Sequence, residues 1–256
     1  MNRIACIVPN FNMPERTNAI TDYIFKNCQH NKPEIIVVDN GSMLEMPRPY
    51  AAVVSLKDNV QTTNGWLMGL HYADALARKY KGSFFGYWLI ITSADFTAES
   101  KDPLAPMVEM MEKDYHTVGV SPALTEDSTT SWLHMKAQGH NGPRKTWMLD
   151  NICTLWRADW FNSIGRFDPA LWYAWGVDLE TSYKARTQGK SLWICEEVKV
   201  RKITDIGYAM DRMGMSAEKR KLFARANMDE VFTAKYGENW RALMYDAGEF
   251  DYGGKI

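Results

Sequence analysis

The chain has 256 residues, of which 46% are apolar and 24% charged, with a formal net charge of −1. A chain of this length buries about 70% or more of its unfolded surface, so neither disulfides nor a structural metal are required for folding. The near-neutral balance carries no strong nucleic-acid signature, because binding by broad phosphate neutralisation needs a basic surface. Cys6, Cys28, Cys153 and Cys195 form no C-x-x-C pair and read as reduced core thiols of a cytoplasmic protein. No stretch approaches the about 18 uninterrupted apolar residues of a membrane span, and the run Ile4–Val8 meets Pro9 too soon for a signal peptide.

In chain order, Ile4–Val8 is a β-branched run stopped by Pro9-Asn10, which predicts a buried strand. Glu15 to Cys28 has helical spacing, with Ile20, Ile24 and Phe25 on the inner face. Glu34–Val38 predicts a second buried strand ending in the turn Asp39-Asn40-Gly41-Ser42, and Ala51–Leu56 a third. Thr63–Tyr80 reads as a helix with Leu67, Leu70, Ala73 and Leu76-Ala77 facing inward, and Tyr87–Thr92 as a strand running into Ser93-Ala94-Asp95. Further on, Thr117–Ser121 and Ile152–Trp156 predict strands and Ala158–Ile164 a short helix. Gly176–Thr187 reads as a helix, Ser191–Ile194 and Val198–Val200 as two short strands, and Ser216–Met244 as helical with a cap near Gly237. Its inner face would carry Leu222, Phe223, Ala226, Met228, Val231 and Phe232. The polar stretch Thr125–Lys145, with Gly139, Asn141, Gly142 and Pro143, reads as a loop or lid.

Strands alternating with helices imply a mostly parallel α/β sheet, whose ligands bind beyond the carboxyl ends of the strands. Asn10, Asp39 and Asp95 fall at such ends, on one rim. Asp95 is suited to a divalent cation, because Mn²⁺ and Mg²⁺ prefer hard oxygen ligands and share them with phosphates; the same position is also a common turn or helix cap. Asp39 fits either a hydrogen bond to a nucleobase or ordinary Asp-Asn-Gly turn chemistry. Asp178 opens a helix, where it is either a cap or a general base for an acceptor hydroxyl. Glu180 competes with it, Gly176 would let substrate approach closely, and Trp175 offers an aromatic face. Trp132 and Trp147 lie in polar stretches and are further candidates for a sugar-stacking surface, whereas Trp156, Trp160 and Trp193 read as core.

Ile7-Val8-Pro9-Asn10-Phe11-Asn12 resembles the opening strand and loop of the family 2 GT-A glycosyltransferases. Glu34–Ser42 is similar to their second strand, Asn64-Gly65 with Gly69 and Ala73 to their glycine-bearing helix start, and Ser93-Ala94-Asp95 to their DxD-type segment. Gly165-Arg166-Phe167-Asp168 and Trp175–Glu180 resemble the acceptor-side segment, and Lys235–Trp240 is of a familiar kind. The resemblance implies a single GT-A domain over 1–256, with a nucleotide-sugar half (1–115), an acceptor half (116–205, lid 125–145) and a helical tail (206–256).

It further implies a metal-dependent, inverting transfer of a sugar from a nucleotide-diphosphate donor, UDP-sugar foremost, to a glycan or other hydroxyl acceptor. Pro9, Asn10, Phe11, Asn12, Asp39, Asn64, Gly65, Ser93 and Ala94 would hold the donor, and Asp95 the Mn²⁺ or Mg²⁺. Trp132, Trp147, Asp150, Trp175, Gly176 and Glu180 would face the acceptor, and Asp178 would be the base. Two departures stand out: Ser93 replaces the first acid of the DxD pair, and no histidine follows His140; Asp205 could substitute, but it reads first as a surface turn. His134 and His140 read as solvated loop residues. A sugar nucleotidyltransferase is the rival enzyme reading, but the loop Pro9–Pro14 lacks the glycines it would want; a non-catalytic carbohydrate-binding protein of the same shape is the rival of another class.

Overall fold

A computed structural model describes residues 2–43, 47, 49–96, 101–139, 142–203 and 216–246. His140 and Asp205 lie outside the described residues. The first half builds parallel strands β1 (Ile4–Asn10), β2 (Glu34–Asn40), β3 (Ala52–Leu56) and β4 (Gly86–Ile90), with helices α1 (Pro14–Asn27) and α2 (Gln61–Lys79) between them. β1, β2 and β4 are buried along almost their whole length, as parallel strands covered on both faces must be, which is why they read as unbroken apolar runs. Pro14 sits in the first turn of α1, where its missing N–H costs nothing. Gly69 of α2 lies so close to β1 that a Cβ there would stand 2.4 Å from the Ile7 side chain.

The second half continues the same sheet. After β5 (Ala94–Phe96) and α3 (Ala105–Lys113) come β6 (Thr117–Leu124), β7 (Arg144–Thr146), β8 (Cys153–Arg157), α4 (Ala158–Ser163), α5 (Val177–Thr187) and β9 (Ser191–Lys202). Helices α6 (Ala217–Tyr236) and α7 (Trp240–Tyr245) follow. The strand order is β3-β2-β1-β4-β8-β6-β9-β5, with β7 paired to β9. β8 runs antiparallel between β4 and β6, so one sheet and one core cross both halves of the chain.

Several expectations are corrected. β9 is one strand, not two: Glu196 at the expected break is buried and paired with Arg144. Phe25 is 54% exposed and stacks on Tyr50 rather than joining the core. Leu222 and Phe223 are exposed, whereas Ala224, Met228 and Phe232 form the buried face of α6. The described part of 125–145 is more ordered than a plain loop. It carries a 3₁₀ turn (Leu133–Met135) and β7, and Arg144 binds the carbonyls of His134 and Lys136 at 3.0 and 2.9 Å. All four cysteines are buried free thiols. Among the described residues no helix is long and apolar enough to cross a membrane.

Candidate functional site

The carboxyl ends of β1, β2 and β4 open onto a cleft of about 260 Å³. Pro9, Asn10, Phe11 and Met13 form one wall; Asn40, Asn59, Gln61, Thr62 and Trp66 form a second. The rest is built by Ile91–Ser93, Asp150 and Asn151, Tyr173–Trp175, Asp178, Lys202 and Arg220. The backbone at the first wall is held by side chains. Asn10 Nδ2 donates to Asp39 Oδ1 at 2.7 Å and to Ser42 Oγ at 3.1 Å, while Asn10 Oδ1 accepts from Thr17 Oγ1 at 2.7 Å. Ser42 Oγ also accepts the Asn12 N–H at 2.9 Å. Between them Gly41 has φ +71°, and a Cβ there would meet the Asp58 carbonyl carbon at 2.5 Å, so the turn requires glycine.

Asn40 fastens the next turn. Its Oδ1 accepts from the Val60 N–H at 2.9 Å, and its Nδ2 donates to the Gln61 carbonyl at 3.1 Å and to Asn59 Oδ1 at 3.2 Å. The start of α2 is thereby fixed against the end of β2. Gly65 sits against Asn40, with room for a Cβ only at 3.4 Å from its Nδ2.

On the far side, Gly176 caps α5 in the left-handed conformation, φ +89°, and turns Asp178 into the cleft. Asp178 is half-buried and takes the Leu179 N–H at 2.9 Å. Burial pushes its carboxyl up to about 7, and the Asp150 carboxylate adds to the shift, against a smaller pull from Lys202. Lys202 Nζ reaches Asp150 Oδ2 at 3.4 Å. Asp150 and Asp178 thus confront each other across one space, with the proton affinity of Asp178 raised toward neutrality.

Of the residues expected at the site, Pro9, Asn10, Phe11, Ser93, Asp150, Trp175 and Asp178 line this cleft. Asp39 lies just beneath, 3% exposed and bound to Asn10; Asn12 is buried in the same loop. Others are elsewhere. Ala94 is fully buried. Asn64 turns toward the Pro169 carbonyl, 3.5 Å away. Trp147 is 2% exposed, packed against Trp132, His134 and Tyr245, so it offers no face to a sugar. Trp132 is half-buried and stacks on Tyr245. His134 is no solvated loop residue: burial lowers its pKa, and its Nε2 lies 3.1 Å from the Met148 carbonyl.

Glu180 is 1% exposed and committed to Lys235, Lys184 and the Tyr236 hydroxyl, so it is structural and not the acceptor-side acid. Asp95 is on the exposed edge of β5 and borders a separate cavity with Glu15, Arg16 and Tyr23. Ser93 lines the cleft while Asp95 lines the other cavity, and among the described residues no group of three His, Cys, Asp or Glu side chains is placed to hold a metal. Among the described residues, Asp95 and Glu15 are too few side chains to hold the expected cation by themselves.

The polar and charged lining residues that sequence reasoning missed include Asn40, Asn59, Gln61, Thr62, Asn151, Lys202 and Arg220, and the aromatic ones Trp66 and Tyr173. Asn40 had a local signal in Asp39-Asn40-Gly41-Ser42. Lys202 and Arg220 had none, since they reach the cleft only through the pairing of β9 and the docking of α6.

No protein-family model matches the chain, and no curated protein matches it by sequence. Solved structures do. A structure described as GalNAc-T7 with UDP, GalNAc and Mn²⁺ superposes with a TM-score of 0.68 at 14% identity, covering 99% of this chain and 52% of that one. A mannosyltransferase, PcManGT from Pyrobaculum calidifontis, in complex with GDP-Man and Mn²⁺, superposes with a TM-score of 0.58 at 15% identity, covering 97% and 76%. This chain therefore spans about half the length of the first of these proteins. The fold is that of the GT-A glycosyltransferases.

Proposed function

We propose that the protein is a glycosyltransferase that moves a sugar from a nucleoside-diphosphate donor onto an acceptor hydroxyl. The observation that carries this reading is the position of Asp178, a carboxylate whose pKa is raised to about 7, facing the strand-end cleft of a GT-A fold. A general base works best when its pKa lies near the operating pH. In the proposed step Asp178 takes the proton of the acceptor hydroxyl as its oxygen bonds to the anomeric carbon. The bond from that carbon to the phosphate oxygen breaks, and the nucleoside diphosphate leaves with the electron pair. Attack from the face opposite the leaving group would invert the anomeric centre.

The loop Pro9–Asn12 and Asp39 would hold the nucleoside, with Asp39 kept in place by Asn10 as its base-reading acceptor, and UDP would be the nucleotide. Trp175, 38% exposed at the cleft, would stack on the acceptor. Both neighbours are described with Mn²⁺, and a divalent cation would supply charge neutralisation at the diphosphate. The test is Asp178→Asn assayed with a panel of nucleotide sugars. Transfer should fall by ~10²–10⁴-fold with donor binding retained, the usual size of a lost general base. Equal loss of donor binding would remove Asp178 from the base role, and product carrying the donor's anomeric configuration would remove the inversion.

A further inference from the structure

Two residues of the cleft lining carry a buried side-chain donor with no acceptor among the described residues. Asn151 is 4% exposed; its Oδ1 accepts from Trp156 Nε1 at 2.8 Å. The indole can only donate, so the amide orientation is settled and Asn151 Nδ2 is the remaining donor. That Nδ2 has no acceptor among the described residues, and neither has Nε1 of Trp66, a 2% exposed residue also in the lining. Buried donors are rarely left alone, because each costs the full desolvation of the group.

The charges point the same way. Four charged side chains line the cleft: Asp150, Asp178, Lys202 and Arg220. Lys202 is committed to Asp150 at 3.4 Å. Arg220 has no carboxylate partner among the described residues. Its one hydrogen bond there is a 3.5 Å contact from Nη2 to Thr62 Oγ1, and burial lowers its pKa. A half-buried guanidinium without a counter-charge calls for an anion, and its planar fork matches phosphate oxygens two at a time. It is held in place from behind. α6 is tied to the segment before α5 by Asn227, which accepts the Trp172 N–H at 3.1 Å and donates to the Ala170 carbonyl at 3.0 Å.

We propose that Arg220 is the diphosphate-binding residue of this cleft. The inference deepens the glycosyl-transfer reading and rests on it for the name of the ligand, though not for the anion. Arg220 would meet the charge that accumulates on the leaving diphosphate, a task the edge-facing Asp95 is not placed to perform.

The test is calorimetric titration of the full chain, in EDTA, with inorganic pyrophosphate, UDP and uridine. Arg220→Gln should weaken pyrophosphate and UDP by about 10–100-fold, the scale of a lost charge-assisted contact, and leave uridine unchanged. Arg220→Lys should recover part of the loss, and melting temperatures of both variants near the wild type's would separate charge from folding. If pyrophosphate fails to bind the wild type, or binds Arg220→Gln equally well, the proposal is overturned. If nucleoside diphosphates bind both proteins equally, the transferase reading stands and the role of Arg220 falls. If pyrophosphate binds through Arg220 while nucleotides add no affinity, the anion site stands and the nucleotide-sugar reading falls.

Discussion

Asn10 and Asp39, paired residues at the ends of adjacent strands, are joined through their side chains as well, with Nδ2 of the first 2.7 Å from Oδ1 of the second. Thr17 of α1 completes the chain by donating to Asn10 Oδ1 at 2.7 Å. Asn10→Ala would strand both partners, each almost wholly buried. Loss of one member of such a network costs about 1–3 kcal/mol, so the midpoint of urea unfolding should drop accordingly. An unchanged midpoint would show that Asp39 is held by something other than Asn10.

Asp178 sets a pH dependence whose sign follows from its raised pKa. Below about 4, the ordinary carboxyl value, the folded and unfolded chains both keep the proton, and wild type and Asp178→Asn should be equally stable on this account. As pH climbs from there to about 7, the unfolded chain releases a proton that the folded one retains, and the native state loses stability. Asp178→Asn escapes this loss. It should therefore be the more stable protein at pH 8, by an amount on the order of 1–3 kcal/mol, with the advantage shrinking toward pH 4. Parallel stability curves for the two proteins would contradict the raised pKa.

Glu180, two residues along α5, should behave in the opposite way. Its carboxylate is 1% exposed and held by Lys235, by Lys184 at 3.4 Å and by the Tyr236 hydroxyl at 2.7 Å. Glu180→Ala breaks a buried ion pair and should cost about 3 kcal/mol, read as a lower melting temperature. Per folded molecule, transfer should change less than about tenfold, well short of the loss expected for a general base. A collapse of turnover without a loss of stability would return Glu180 to the acceptor site.

Asp95 offers a third contrast. It faces the cavity beside α1 rather than the cleft, so Asp95→Ala should leave the Mn²⁺ dependence of UDP binding where it stands in the wild type. Titrations of thermal stabilisation against Mn²⁺ concentration would show coincident curves. Loss of the cation response in the variant would place Asp95 at the metal.

The sheet was legible wherever burial on both faces wrote a continuous apolar run, as in Ile4–Val8 and Glu34–Val38, and strand ends could be read from Pro9-Asn10 and Asp39-Asn40-Gly41-Ser42. Hidden features were those in which pairing overrides local pattern. Glu196-Glu197 looks like a break in β9, yet Arg144 neutralises the inner glutamate and the strand passes through. α3 went unnoticed because Pro103 and Pro106 suggest a loop, although Pro106 stands at the helix start, where it is tolerated. Trp147 sits among polar neighbours in sequence but in an aromatic cluster in space. Asp178 was legible from its helix-opening context, whereas its pressure from Asp150 was not, since 27 intervening residues separate the two.

The docking of α6 has a consequence for how the molecule is assembled. One end of this helix brings Arg220 to the cleft, its middle grips the segment before α5 through Asn227, and its far end answers the interior acid Glu180 through Lys235. A single late stretch of chain thus completes a wall of the cavity and neutralises the core beneath it. Unseating this one helix would therefore open the cavity wall and leave Glu180 without its lysine at the same time.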